Sequence, residues 1–133
     1  MEQKPQKAKA KALLAAFGCA LAYLLAGKLL AAVLPVPAGD VRALSFVHHC
    51  VLAPVAEELV FRGAVQHLAA PLGQRQAVLL QAVLFAAQHG SPAAAVWALV
   101  CGILLGALAQ RTGRVWPGMI LHTLNNLLVF AAG

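Results

Sequence analysis

Two adjacent glutamates, Glu57 and Glu58, stand in a stretch of the chain that is otherwise almost entirely apolar. The other acidic residues are Glu2, near the N-terminus, and Asp40. A carboxylate inside a membrane-grade apolar segment costs about 2.5–3.5 kcal/mol on insertion scales. We therefore expect these two groups to be paired with a cation, to take part in a reaction, or both.

A nearby arginine suggests different roles for the two glutamates. Glu58 and Arg62 are four residues apart, so on a helix they share a face and can form an ion pair. Glu57 points roughly 100° away from Glu58 around the helix. We expect Arg62 to neutralise Glu58, which then has a structural role. We expect Glu57 to face a cavity, where a carboxylate can act as a general base or acid. From this stretch alone, a charge cluster that only joins helices explains the pattern equally well.

Two further polar clusters lie in later apolar segments. Phe85 precedes His89 by about one helical turn, so its ring can pack on the imidazole and fix its orientation. His122 and Asn126 share a helix face, and both can donate hydrogen bonds into a cavity. The structural alternatives are an interfacial histidine at position 89 and interhelical hydrogen bonds from His122 and Asn126. Three such clusters in one small apolar chain favour a functional site.

Composition predicts an integral membrane protein. The 133 residues are 62% hydrophobic and 11% charged, whereas soluble domains contain about 25% charged residues. We predict an all-α fold, a polytopic transmembrane bundle of about five helices. Much of the net charge of +6 comes from the N-terminal tail, so we expect contact with the lipid bilayer and no nucleic acid. The three cysteines lie far apart without CxxC spacing, which favours buried apolar roles over disulfides or metal binding.

The chain divides into three parts. Residues 1–11 form a basic, cytoplasmic and unstructured tail, and residues 12–34 form the first transmembrane helix. Residues 41–133 form a four-helix catalytic core, with helices expected over residues 41–68, 76–88, 93–110 and 117–131. Asp40 is a suitable N-cap for the second helix. Pro54 should kink that helix, either opening a water-accessible pocket or changing the packing alone.

The positions of the basic residues predict the topology. If five helices cross alternately, the tail lysines, Arg75, Arg111 and Arg114 fall on one side. The positive-inside rule then places the N-terminus in the cytoplasm and the C-terminus outside. We expect the membrane to be a bacterial cytoplasmic membrane.

The same hairpin geometry predicts a shared site. Glu57 and His89 each lie sixteen residues from Gly73, so antiparallel helices place them at similar depth. His122 and Asn126 rise to roughly the same layer from the basic turn before them.

The three clusters, in this order, resemble the motifs of the CPBP family of intramembrane proteases. That family includes the type II CAAX prenyl proteases and the bacteriocin-processing "Abi" proteins. Its EExxxR motif is matched by Glu57, Glu58 and Arg62, its FxxxH motif by Phe85 and His89, and its HxxxN motif by His122 and Asn126. The resemblance covers roughly residues 45–129. A single preceding span favours a small sorting-type (myxosortase-like) member over an enzyme that acts on farnesylated CAAX proteins.

The resemblance implies a glutamate-type peptidase. Glu57 would deprotonate a water that His89 helps to hold, and this water would attack a scissile amide. His122 and Asn126 would donate hydrogen bonds to the developing oxyanion. The substrate would be a membrane-anchored protein or peptide, and the oligomeric state is left open.

Glu58 and Arg62 would position the general base. No cofactor is implied, but zinc held by Glu57, His89 and His122 is an alternative, because two histidines and a glutamate form an accepted ligand set. The histidines lie on different helices without HExxH spacing, which disfavours that alternative. Two non-enzymatic readings also remain: an immunity or binding protein on the same fold, and a small transporter or proton-relay protein.

Overall fold

The computed structural model describes residues 3–33 and 41–132, and this part of the chain contains five long helices. Helix α1 is Gln3–Val33, α2 spans residues 41–68, α3 is Gln74–Ala86, α4 is Pro92–Thr112 and α5 is Trp116–Ala132. These helices confirm the predicted all-α membrane bundle. The predicted cap Asp40 and the proline-rich break before it lie outside the described residues.

Helix α1 begins much earlier than its apolar residues do. The expectation of an unstructured tail is wrong for residues 3–11, because the helix starts at Gln3 and continues without a break into the apolar span. The tail consists mostly of Lys, Gln and Ala, which are good helix formers. Pro5 lies in the first turn, where a proline is tolerated. Hydrophobicity therefore underestimated the length of the helix.

Helix α2 is not a regular α-helix. Its α-helical segments Val41–Val47, Ala53–Glu58 and Gln66–Leu68 alternate with the π-helical segments His48–Leu52 and Leu59–Val65. The backbone N–H of Ala53 donates to the His48 carbonyl and that of Gln66 to the Phe61 carbonyl, both five residues back. Such wide turns often mark functional sites, and here they flank the segment that ends with the two glutamates.

Small residues let α1 pack closely on α2. Ala12, Ala16 and Ala20 recur every four residues along α1 and are buried. Ala16 and Ala20 join Phe61 and Val65 of α2 in the core of the bundle. Most of the large aliphatic side chains of α1 point outwards and are exposed, as expected for a helix that faces lipid on its other sides.

Gly102 and Gly106 form a GxxxG pattern on α4, and this pattern lets α4 pack closely on α3. A methyl group added at Gly102 would lie 2.9 Å from the Cα and Cβ of Ala82. Gln81, which is fully buried, donates a hydrogen bond of 2.7 Å to the Gly102 carbonyl. Gln66 of α2 donates one of 3.0 Å to the Gly106 carbonyl. Glycines and buried amides thus hold α2, α3 and α4 together where a bilayer provides no hydrophobic driving force.

Three helical stretches among the described residues are long and apolar enough to cross a membrane: Pro5–Val33, Ala43–Leu68 and Pro92–Thr112. Helices α3 and α5 have 13 and 17 residues, fewer than the roughly 20 that a full crossing needs. Five alternating crossings and their orientation therefore stay predictions.

Candidate active site

The two glutamates of α2 differ in exposure as their spacing suggested. They end the α-helical segment Ala53–Glu58, just before the second π-helical segment. The Glu58 side chain is fully buried, whereas that of Glu57 is 23% exposed. Arg62 Nη1 lies 3.0 Å from Glu58 Oε1, so the predicted ion pair is confirmed.

The imidazole of His122 lies between the two carboxylates. Its Nδ1 is 3.0 Å from Glu58 Oε1, and its Nε2 is 3.6 Å from Glu57 Oε2. His122 is itself buried, on α5. The contact with Glu58 has the length of a hydrogen bond, whereas the contact with Glu57 is too long for a direct hydrogen bond. One histidine therefore links the buried, paired carboxylate to the partly exposed one.

Phe85 is the aromatic centre of the site. Its ring makes edge contacts with His89 at 4.9 Å and with His122 at 5.7 Å between ring centroids. The Arg62 guanidinium carbon lies 4.5 Å from the same ring centroid, a cation–π distance. The predicted packing of Phe85 on His89 is confirmed. Phe85 also contacts residues of the other two motifs, which spacing along the chain did not indicate.

His89 lies just after α3, as expected from a helix over residues 76–88 that ends before it. Its backbone N–H donates to the Ala86 carbonyl at 3.0 Å, and its Nδ1 is 3.1 Å from the Phe85 carbonyl. The Phe85 contacts orient the half-buried ring, and His89 is among the electrostatic neighbours of Glu57. The structure therefore brings His89 into the same group as the residues of α2 and α5.

Asn126 satisfies a backbone carbonyl of the first π-helical segment. Its Nδ2 donates a hydrogen bond of 2.8 Å to the His49 carbonyl. In the register of that segment the matching N–H would belong to residue 54, and Pro54 has none. The Oδ1 of Asn126 accepts from Asn125 Nδ2 at 3.2 Å. Asn126 thus joins α5 to α2 at the point where the proline leaves a carbonyl unpaired.

Gly118 was not selected from the sequence, yet it borders the buried carboxylate. A methyl group added there would lie 2.6 Å from Glu58 Oε2. Gly118 precedes His122 by four residues on α5, and both are buried. The sequence signal that could have identified Gly118 is its spacing of four from His122. This spacing puts a residue without a side chain on the same helix face as a site histidine.

The remaining histidines stay outside this group. His48, His49 and His67 are exposed. Within the residues that the structure describes, no three His, Cys, Asp or Glu side chains form a group that could hold a metal ion.

Comparison with known families agrees with this geometry. Residues 40–128 match the family model described as type II CAAX prenyl endopeptidase Rce1-like. This match covers about two thirds of the chain and includes every residue of the three motifs. The chain belongs to this family. Neither the curated proteins nor the solved structures contain a match.

Family membership confirms the resemblance seen in the motifs and indicates a CAAX-type membrane protease. The long apolar helices agree with a location in a membrane.

Proposed function

We propose that this protein is an intramembrane endopeptidase that hydrolyses a peptide bond of a membrane-anchored protein or peptide with a water activated by Glu57. The observation that carries the proposal is the position of His122 between a fully buried, ion-paired glutamate and a partly exposed one. A charge cluster that only joined helices would need no exposed carboxylate beside a histidine.

Glu57 is the general base in this mechanism. The distance of 3.6 Å between its Oε2 and His122 Nε2 is too long for a direct hydrogen bond, and polar groups at such distances are commonly bridged by water. A water bound there and oriented by His89 can lose a proton to Glu57 while its oxygen attacks the carbonyl carbon. Glu57 then returns the proton to the leaving amine.

Glu58 sets the protonation of His122. An ionised carboxylate can only accept hydrogen bonds, so the 3.0 Å contact makes Nδ1 of His122 the donor. Nε2 then faces Glu57 and the attacking water. A proton taken up from bulk water before the attack makes His122 an imidazolium, whose Nε2–H can donate to the oxyanion that forms on the substrate. This proton stays on His122 through the reaction. Arg62 positions Glu58, because it contacts that carboxylate and is itself packed on Phe85.

Asn126 supplies a second donor to the oxyanion. One hydrogen of its amide group is used by the His49 carbonyl, and an amide nitrogen carries two. Loss of one oxyanion donor typically reduces the rate by about 10²–10³-fold.

The test is cleavage in proteoliposomes with a library of single-span, membrane-anchored peptides. The wild type is compared with Glu57→Gln and His122→Gln, and His48→Gln is the matched control because His48 is exposed and outside the site. We expect cleavage by the wild type and by His48→Gln, and a loss of at least about 10²-fold in the two site variants. Mass spectrometry in ¹⁸O-labelled water should find the label in the new carboxylate.

A parallel reaction with a chelator separates the zinc alternative. If cleavage survives the chelator, the result supports a water activated by glutamate without a metal. If the chelator abolishes cleavage and added zinc restores it, Glu57, His89 and His122 are instead metal ligands. If folded Glu57→Gln and His122→Gln cleave as fast as the wild type, the proposed mechanism is wrong. Two results together would support a binding role on the same fold: the folded wild type cleaves no peptide of the library, and the site variants keep the cellular phenotype.

A further inference from the structure

The side-chain amide of Asn126 is the last link in a row of three hydrogen bonds that runs from α4 through α5 to α2. Trp97 Nε1 of α4 donates to Asn125 Oδ1 at 3.3 Å. Asn125 Nδ2 donates to Asn126 Oδ1 at 3.2 Å, and Asn126 Nδ2 donates to the His49 carbonyl at 2.8 Å. Both asparagines belong to α5, so these side chains connect three helices at the residue that we assign to the oxyanion.

The two ends of this row determine the orientation of both amides. An indole N–H can only donate a hydrogen bond, and a carbonyl oxygen can only accept one. All three bonds therefore form only when Asn125 turns its oxygen towards Trp97 and Asn126 turns its nitrogen towards α2. If the Asn125 amide turned over, its nitrogen would face the indole N–H and its oxygen would face the Asn126 oxygen. Both bonds of Asn125 would then be lost.

The backbone of Asn126 is held separately from its side chain. The Sγ of Cys50, a buried residue of α2, donates to the Asn126 carbonyl at 3.8 Å. The remaining freedom of Asn126 is the rotation of its side chain. This rotation decides where the second hydrogen on Nδ2 points, because the first is used by the His49 carbonyl.

Trp97 is suited to hold this row of bonds at the edge of the bundle. Its side chain is 56% exposed, so part of the ring lies on the outer surface of α4, while its N–H bonds to α5. The N–H of a tryptophan near a membrane surface commonly bonds to water or to headgroups, and here Asn125 is the partner instead. Hydrogen bonds that follow one another in this way polarise and strengthen each other.

We propose that Trp97, acting through Asn125, is a positioning residue that fixes the amide of Asn126 for the reaction. This role rests on the proposed function, in which the second hydrogen of Asn126 Nδ2 bonds to the oxyanion. That bond forms in the transition state and not with the bound substrate. Loss of the Trp97 bond should therefore lower kcat and leave KM unchanged.

The first measurement follows the Asn126 amide without proteolysis. The chain contains two asparagines, so NMR of protein labelled with ¹⁵N at the asparagine side chains observes two amide groups, which Asn126→Ala assigns. The variant is Trp97→Phe, which keeps an aromatic ring but removes the N–H donor. The matched control is Trp116→Phe, because Trp116 is an exposed tryptophan at the start of α5. It lies about 15 Å along the helix from Asn126.

We expect Trp97→Phe to shift the Asn126 amide signals, although the Trp97 indole bonds to Asn125 rather than to Asn126. Trp116→Phe should leave those signals in place. Asn125→Leu removes the middle link with a side chain of similar size, so it should shift the same signals. It also provides the test if Trp97→Phe does not fold.

The second measurement is cleavage in the proteoliposome assay. Trp97→Phe should lower kcat about five- to tenfold with an unchanged KM, whereas Trp116→Phe should cleave like the wild type. In the Asn126→Ala background Trp97→Phe should have no further effect, because the group that it positions is gone.

Unmoved Asn126 signals in folded Trp97→Phe and Asn125→Leu overturn the proposal. An undiminished kcat for Trp97→Phe overturns it too, as does an equal loss of kcat with and without Asn126. If the signals shift but the wild type cleaves no peptide, the proposed function fails while the positioning of Asn126 by Trp97 is supported.

Discussion

At the scale of single residues, the two glutamates share a chemical type but not a role. The fully buried Glu58 compensates the charge of Arg62 and lies within hydrogen-bond distance of His122. Glu57 is partly exposed and, within the described part of the chain, forms no ion pair as short as that of Glu58. Removal of one partner from a buried ion pair costs about 3–5 kcal/mol, because the other charge is left uncompensated.

The matched substitutions Glu57→Gln and Glu58→Gln separate these roles. We expect Glu58→Gln to lower the free energy of unfolding by about 3–5 kcal/mol, and Glu57→Gln to lower it far less while abolishing cleavage. Denaturation in mixed micelles measures the first quantity, and the peptide assay measures the second. Equal destabilisation by both variants would contradict the division of roles.

Gly118 allows a second test at this scale. In Gly118→Ala the new methyl group would lie 2.6 Å from Glu58 Oε2, so the carboxylate must move away from His122 or Arg62. We expect cleavage to fall by about 10²-fold, as is typical when a catalytic group is misplaced by about 1 Å. The control is Gly18→Ala, where nothing lies within 4 Å of the added group, and its cleavage rate should match that of the wild type. A wild-type rate for Gly118→Ala would show that Glu58 does not need its present position.

At the scale of elements, α2 depends on α5 to satisfy its backbone. Pro54 leaves the His49 carbonyl without a helical donor, and Asn126 supplies one. An unpaired carbonyl is especially costly in a membrane, where water cannot replace the missing partner. The irregular backbone beside the two glutamates is therefore stabilised by a side chain from another helix.

A double-mutant cycle between Pro54→Ala and Asn126→Ala tests this dependence. Asn126→Ala alone should cost about 1–3 kcal/mol of unfolding free energy, because it leaves the His49 carbonyl unpaired. In the Pro54→Ala background the new N–H of residue 54 can bond that carbonyl, so the same change should cost less, with a coupling of about 1 kcal/mol. Thr112→Ala is the control, because the Thr112 hydroxyl bonds to the Leu108 and Arg114 carbonyls, and it should add independently to Pro54→Ala. Additive effects of Pro54→Ala and Asn126→Ala would contradict the inferred hydrogen-bond exchange.

At the scale of the whole molecule, the short α3 determines the depth of the site. Its 13 residues extend about 20 Å, less than the roughly 30 Å of the hydrocarbon core. If the Arg75 end of α3 lies at the membrane surface, His89 at the other end lies within the bilayer. Hydrolysis there requires that water reach Glu57 from one side of the protein.

Labelling of single cysteines tests the predicted orientation. In a background without the three native cysteines, Arg75→Cys and Arg111→Cys should react with a membrane-impermeant maleimide added from the cytoplasmic side. Gly90→Cys, at a position open to added atoms, should not react from that side, because it lies at the opposite end of the α3–α4 hairpin. Labelling of positions 75 and 111 from opposite sides would contradict the topology.

The sequence by itself determined the class of protein, the approximate helices and the residues of the three motifs. These features depend on composition, on apolar stretches bounded by turn residues and on spacings of four along a helix, all of which are local. The Glu58–Arg62 pair and the packing of Phe85 on His89 were predictable for the same reason.

Only the tertiary structure decided how residues of different helices meet. It showed that His122 contacts both glutamates, that Phe85 contacts all three motifs, that Gly118 makes room for Glu58 and that Asn126 bonds to the His49 carbonyl. Such contacts depend on the rotation and axial position of each helix against its neighbours, which residue spacing within one helix does not contain. The π-helical turns of α2 belong to this group, because part of their backbone finds its hydrogen-bond partner on another helix.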